Sequence, residues 1–167
     1  MAKIKISHLS SGCYRSVIRN RDAMTEVAEL AIAFFRENAI PYPQIAVSGT
    51  SGILPAVLLN YEAGYPFVII RKEKENSHGS PVEHCETIYQ PRGVWILDDF
   101  IASGETVDRM ANLLISEGYT VDGIILYAAG NVGYPNDYEK LRSVKTPSGY
   151  RINIRQYNLL SAPFVCE

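Results

Sequence analysis

The segment that most restricts the fold is Gly93-Val-Trp-Ile-Leu97, an apolar run that stops at two aspartates, Asp98 and Asp99, and is followed by a helical pattern. Val107, Met110, Ala111, Leu114 and Ile115 recur at spacings of three and four, and Gly118 closes the pattern. A short apolar strand that feeds a small polar loop and then a helix is half of a βα unit. The same arrangement occurs upstream. Gln44-Ile-Ala-Val-Ser48 runs into Gly49-Thr50-Ser51-Gly52, with a helix expected from about Ile53 to Tyr61. Pro66-Phe-Val-Ile-Ile70 runs into the charged stretch Arg71 to Pro81. Ahead of them, Met24, Val27, Ala28, Ala31, Ile32 and Phe35 mark an amphipathic helix over Asp22 to Asn38. Val121 to Ala129 and Arg151 to Tyr157 are further strand candidates.

Strands alternating with helices predict an α/β domain around a mostly parallel sheet, in which ligands gather at the carboxyl ends of the strands. The loops at Ser48 to Gly52, Arg71 to Pro81 and Asp98 to Thr106 each follow a strand, so they are expected at one edge. A chain of 167 residues suits one domain, with a core over about 22–130. The hydrophobic share of 47% supports a packed core. A net charge of −2 gives no general attraction to nucleic acid or to anionic lipid. Cys13, Cys85 and Cys166 form no metal or redox pair, which fits a reducing compartment. The basic start is followed by no apolar run of the kind a signal peptide needs, and no stretch is long enough to span a membrane, so a cytoplasmic protein is expected.

The loop from Asp98 to Thr106 carries the chemistry. Gly104 allows backbone geometry closed to other residues, and Ala102, Ser103 and Thr106 are small, so successive N–H groups can close round an anion. The start of a helix adds its unpaired amides and positive dipole end, which suit a phosphate. Asp98 and Asp99 at the rim would repel each other unless hydroxyl donors or a hydrated cation compensate. A ligand with a phosphate at one end and a ribose diol at the other satisfies both halves, and Mg²⁺ could bridge the diol to a pyrophosphate. Neither GxGxxG nor GxxxxGK[ST] is present, which removes the usual dinucleotide and Walker signatures.

Val94-Trp-Ile-Leu-Asp-Asp-Phe-Ile-Ala-Ser-Gly-Glu-Thr106 resembles the phosphoribosyl pyrophosphate signature of the type I phosphoribosyltransferases. The resemblance implies a three-layer fold with a small hood, here from the N-terminal segment and the C-terminal part. It gives Asp98 and Asp99 the ribose hydroxyls, and an indirect hold on Mg²⁺, and gives Ala102, Ser103, Gly104, Glu105 and Thr106 the 5′-phosphate. Val47-Ser-Gly-Thr-Ser-Gly52 resembles the family's pyrophosphate loop, so Ser48, Gly49 and Thr50, with Arg71 at the next strand end, are assigned to pyrophosphate. Arg71-Lys-Glu followed by His78-Gly79 resembles the flap of orotate phosphoribosyltransferases, which implies that Lys72, Lys74 and His78 act on the leaving group. The function implied is transfer of a phosphoribosyl group to a purine or pyrimidine base in nucleotide metabolism. The alternative is a non-catalytic sensor of phosphoribosyl pyrophosphate or nucleotide on the same fold. A homodimer is what the family suggests.

The acceptor is less legible. Ala102 stands where hypoxanthine–guanine enzymes carry an acid, and adenine enzymes share the Ala, whereas the flap is orotate-like. Tyr14, Phe34, Phe35, Tyr127 and Tyr134 could stack on a base, although Phe35 lies on the apolar face of its helix. Arg15, Arg19 and Arg21 could pair with a carboxylate.

Overall fold

The computed structural model of the protein describes residues 20–72, 80–84, 93–99, 105–127, 143–145 and 151–153. In chain order the elements are α1 (Arg21–Glu37), β1 (Gln44–Val47), α2 (Gly49–Ala63), β2 (Phe67–Ile70), β3 (Val82–His84), β4 (Gly93–Asp98), α3 (Glu105–Ser116), β5 (Thr120–Leu126), β6 (Ser143–Lys145) and β7 (Arg151–Asn153). The first five strands form one sheet in the order β3-β2-β1-β4-β5. Its β2–β1, β1–β4 and β4–β5 pairs are parallel, and only the edge strand β3 runs antiparallel, against β2. The α/β, mostly parallel architecture expected from the alternation is therefore present. β6 and β7 pair antiparallel as a separate two-stranded sheet.

Strand β4 shows how the layers arise. Successive side chains point to opposite faces, so Trp95 and Leu97 join the cluster under α1 and α2, while Val94 and Ile96 join the cluster under α3. Both faces are covered, which is why the strands read as continuous apolar runs rather than alternating ones. Phe34 and Phe35 of α1 meet the edge of Trp95 at ring-centroid distances of 5.4 and 5.6 Å, a favoured aromatic geometry. That burial removes Phe34 as a surface on which a base could stack, and it places Phe35 in the core, as its position on the apolar face of the helix led one to expect.

Helix α3 ends as its glycine predicts. Gly118 takes φ +84, and the Gly118 and Tyr119 amides return to the carbonyls of Ile115 and Leu114, the paired closure that a left-handed residue permits. The start of α2 differs from expectation. The helix begins at Gly49 rather than near Ile53, so the glycine and hydroxyl residues read as a loop form its first turn. Gly52 is buried there, and a Cβ on it would lie 2.9 Å from both the Leu97 carbonyl and Val47 Cβ. Its lack of a side chain lets α2 sit directly on the ends of β1 and β4. Strand β3 was not foreseen, since only Val82 of its residues is buried.

Candidate active site

The sheet order reverses at β1. The chain leaves β1 for α2 on one face and returns to β2 on one side, whereas β4 lies on the other side of β1 and leads to α3 on the opposite face. The turns after β1 and β4 therefore diverge, and a crevice opens between their carboxyl ends. Ser48, Gly49, Thr50, Asp98 and Asp99 all lie there, with Arg71 and Lys72 at the end of the neighbouring β2.

Asp98 and Asp99 are each only 7% exposed. Burial of Asp98, then the charge of Asp99 beside it and a hydrogen bond that protonated Asp98 donates to the Asp99 carboxylate, raise its pKa from 3.8 to about 8. The Asp99 amide, at 2.9 Å, and the Ser51 hydroxyl, at 3.0 Å, donate to Asp98 Oδ1 and act in the opposite direction. Two adjacent acids held out of water thus favour a proton on one of them in the absence of a compensating cation or hydroxyl. That is the signature of a site built to receive such a group.

Ser51 is itself positioned through the chain. Pro55 has no N–H to donate to the carbonyl four residues earlier, which is that of Ser51. The Tyr127 hydroxyl donates to that carbonyl instead, at 2.8 Å, so the vacancy left by a helix proline is filled from the end of β5. The Tyr127 amide also donates to the Asp98 carbonyl at 3.2 Å. Tyr127 is completely buried; its role is to tie α2 to β4, and it is not a surface on which a base could stack.

The cations divide. Arg71 Nε donates to Glu83 on β3, and its amide donates to the Pro81 carbonyl. A Cβ on Gly49, whose φ is +72, would lie 3.1 Å from Lys72 Cε and 3.2 Å from its Nζ. The Lys72 ammonium consequently rests over the first turn of α2, beside the backbone expected to bind an anion. Arg109 of α3 donates to the Ser48 hydroxyl at 2.9 Å and to the Arg71 carbonyl.

Glu105 and Thr106 form the exposed first turn of α3. Lys74, His78, Ala102, Ser103 and Gly104 lie outside the described residues, as do Tyr14, Tyr134, Arg15 and Arg19. Arg21 opens α1 and is exposed. Sequence reasoning did not find Ser51, Glu83 or Arg109, and gave Tyr127 a different task. Pro55, two turns into a helix, was the one available signal that a foreign donor would be needed.

Among the described residues no group of three or more His, Cys, Asp or Glu side chains could hold a metal. Asp98 and Asp99 supply carboxylate oxygens that fit a hydrated Mg²⁺ held indirectly, through water or the hydroxyls of a bound sugar, since this ion usually keeps several waters and takes phosphate oxygens of its substrate. No helix among the described residues is long and apolar enough to cross a membrane.

The family model for the phosphoribosyl transferase domain matches residues 14–161. The orotate phosphoribosyltransferase of Pyrococcus horikoshii is 28% identical over 126 residues, covering 75% of this chain and 67% of that protein. The xanthine phosphoribosyltransferase of Geobacillus thermodenitrificans is 29% identical over 114 residues, covering 58% of this chain and 57% of that one. Among solved structures, adenine phosphoribosyltransferase from Saccharomyces cerevisiae superposes with a TM-score of 0.63 at 18% identity, over 86% of this chain and 82% of that chain.

Proposed function

Because the chain belongs to the phosphoribosyl transferase domain family, we propose that it moves a 5-phosphoribosyl group from phosphoribosyl pyrophosphate to a nitrogenous base, releasing pyrophosphate. The observation that carries this reading is the buried Asp98–Asp99 pair at the mouth of the β1/β4 crevice, held by Ser51 from the facing turn. Asp98 and Asp99 would accept the ribose hydroxyls, whose donated protons relieve the repulsion between two buried acids. Ala102 to Thr106 would hold the 5′-phosphate at the start of α3, and Ser48, Gly49 and Thr50 the pyrophosphate at the start of α2. Asp98 and Asp99 would hold Mg²⁺ indirectly, through the ribose hydroxyls or water, and the ion would supply positive charge that offsets the phosphates of the donor.

Displacement at the anomeric carbon forms a bond to the base nitrogen and breaks the bond to pyrophosphate, which departs with the electron pair. Negative charge grows on the leaving group, so the cations near it favour the transition state. Lys72, resting over Gly49, is suited to that task. Arg71 would reach pyrophosphate only in exchange for, or alongside, its bond to Glu83. Lys74 and His78 keep the flap roles that the resemblance gives them.

The single-domain reading over 1–167, with a hood outside the described residues, belongs to the same proposal, as do the homodimer and a cytoplasmic location. Relatives named for catalysis favour transfer over the sensor alternative. The acceptor is best sought among orotate, xanthine and adenine, the bases named in those relatives. Pyrophosphate release measured with phosphoribosyl pyrophosphate, Mg²⁺ and each base in turn is expected to succeed with at least one. Donor binding without release on any base would favour the sensor; no donor binding by calorimetry would remove the proposal.

A further inference from the structure

Arg109 has no part in the assignments above, yet its guanidinium spans two strand ends of the crevice. Nη1 donates to the Arg71 carbonyl at the exit of β2, and Nη2 donates to the Ser48 hydroxyl, 2.9 Å away, at the exit of β1. A planar fork of fixed donors holds two acceptors in one geometry, which a flexible ammonium cannot do. What it holds matters more.

Ser48 is the N-cap of α2. Its backbone is extended, with φ −141 and ψ 128, the conformation from which a serine hydroxyl ordinarily accepts from the second or third amide of the helix. Ser48 makes no such bond. Those amides are Thr50 and Ser51, and no carbonyl of their own helix lies ahead of them to bond. A hydroxyl oxygen turned to Arg109 is turned away from them.

We infer that Arg109 is a positioning residue that holds the Ser48 hydroxyl away from the start of α2 and so keeps the Thr50 and Ser51 amides available to the pyrophosphate of the donor. The inference deepens the proposed function and rests on its assignment of this turn to pyrophosphate. Because the Ser48 oxygen accepts from Arg109, its own proton is left to donate. Arg109 need not touch the ligand to act in this way.

Two measurements separate the structural step from its use. In the ligand-free Arg109→Met protein the Ser48 hydroxyl is released to cap α2, and hydrogen exchange at the Thr50 and Ser51 amides is expected to slow roughly fivefold, the scale of an ordinary N-cap bond. By calorimetry the same variant is expected to bind Mg²⁺–pyrophosphate roughly fivefold more weakly and ribose 5-phosphate as wild type does. In a Ser48→Ala background, where nothing can cap the helix, Arg109→Met is expected to change pyrophosphate affinity less than about twofold. Equal losses in both backgrounds, equal losses for the two ligands, or unchanged amide exchange would each overturn the inference. Slower exchange in a protein whose wild type binds no pyrophosphate would remove the functional assignment of the turn while leaving the hold of Arg109 on Ser48 standing. Should Arg109→Met fail to fold, Arg109→Lys, which keeps the charge but not the fork, carries the same readouts.

Discussion

Helices α1 and α2 pack on the same face of the sheet and begin in opposite ways. At α1 the Asn20 side chain accepts from the amides of Asp22 and Ala23, at 3.0 and 3.4 Å, and the helix start is closed by its own chain. At α2 an equally good capping residue, Ser48, stands in the right backbone conformation and caps nothing, because a side chain 61 residues away has claimed its hydroxyl. The fold accepts a local cost at one helix start and not at the other. A helix start that only has to be stable is capped; the one facing the crevice is left open, with a buried acid pair opposite and an ammonium above it.

The largest effect is expected at that acid pair. A carboxyl whose folded pKa lies above its unfolded value binds its proton more tightly in the folded state, so stability falls as pH rises between the two values. For Asp98, raised from 3.8 to about 8, the loss should accumulate across that interval at no more than about 1.4 kcal/mol per pH unit. Asn at this position still accepts from Ser51 and from the Asp99 amide. The melting temperature of Asp98→Asn should therefore gain on wild type as pH rises from 4 to 8 and level off above. A gap that stays flat across that interval contradicts the environment described for Asp98.

Donor binding depends on the same two acids. The double change Asp98→Asn and Asp99→Asn should lower donor affinity on the order of a hundredfold, since hydrogen bonds to charged groups are worth about 1.5–3 kcal/mol each. Circular dichroism should show an intact fold. Undiminished affinity in calorimetry would take the ribose away from this pair.

Next in size is Tyr127→Phe. It leaves the part-buried Ser51 carbonyl without the donor that Pro55 cannot supply, at a cost of about 1 kcal/mol in denaturant unfolding. Replacing Pro55 by Ala in the Phe variant restores a backbone donor and should recover part of that loss. No recovery would mean that the hydroxyl serves something other than the proline vacancy.

How much of this was legible follows from the same contrast. Strand β4 and the acids at its end could be read because strand, turn and helix are contiguous, and the alternation of Trp95 and Leu97 with Val94 and Ile96 needs only the period of a strand. The three-residue edge strand β3, in a polar stretch with one buried position, carries no such period. The start of α2 was misread because glycine and hydroxyls signal a turn locally, while close approach of the helix to Leu97 and Val47 is what requires Gly52. Arg109, Ser51 and Tyr127 act across 61, 47 and 76 residues, and nothing in a linear pattern pairs them. Tyr127 looked like a stacking platform because its type is right for one; only burial shows otherwise.

The two helix starts can be set against each other by removing Asn20 and Ser48 in turn. Asn20→Ala removes a working cap and should cost about 1 kcal/mol, or about 2–4 °C in melting temperature for a chain of this size, with donor binding unchanged. Ser48→Ala removes a residue of the same kind that caps nothing, so its thermal cost should be smaller, confined to the lost bond with Arg109, while its effect falls on pyrophosphate affinity. The two substitutions thus exchange their readouts: stability without binding at α1, binding with little stability at α2. If both lowered the melting temperature equally and neither altered binding, the open start of α2 would be an ordinary helix end, and the crevice would have to find its anion site elsewhere.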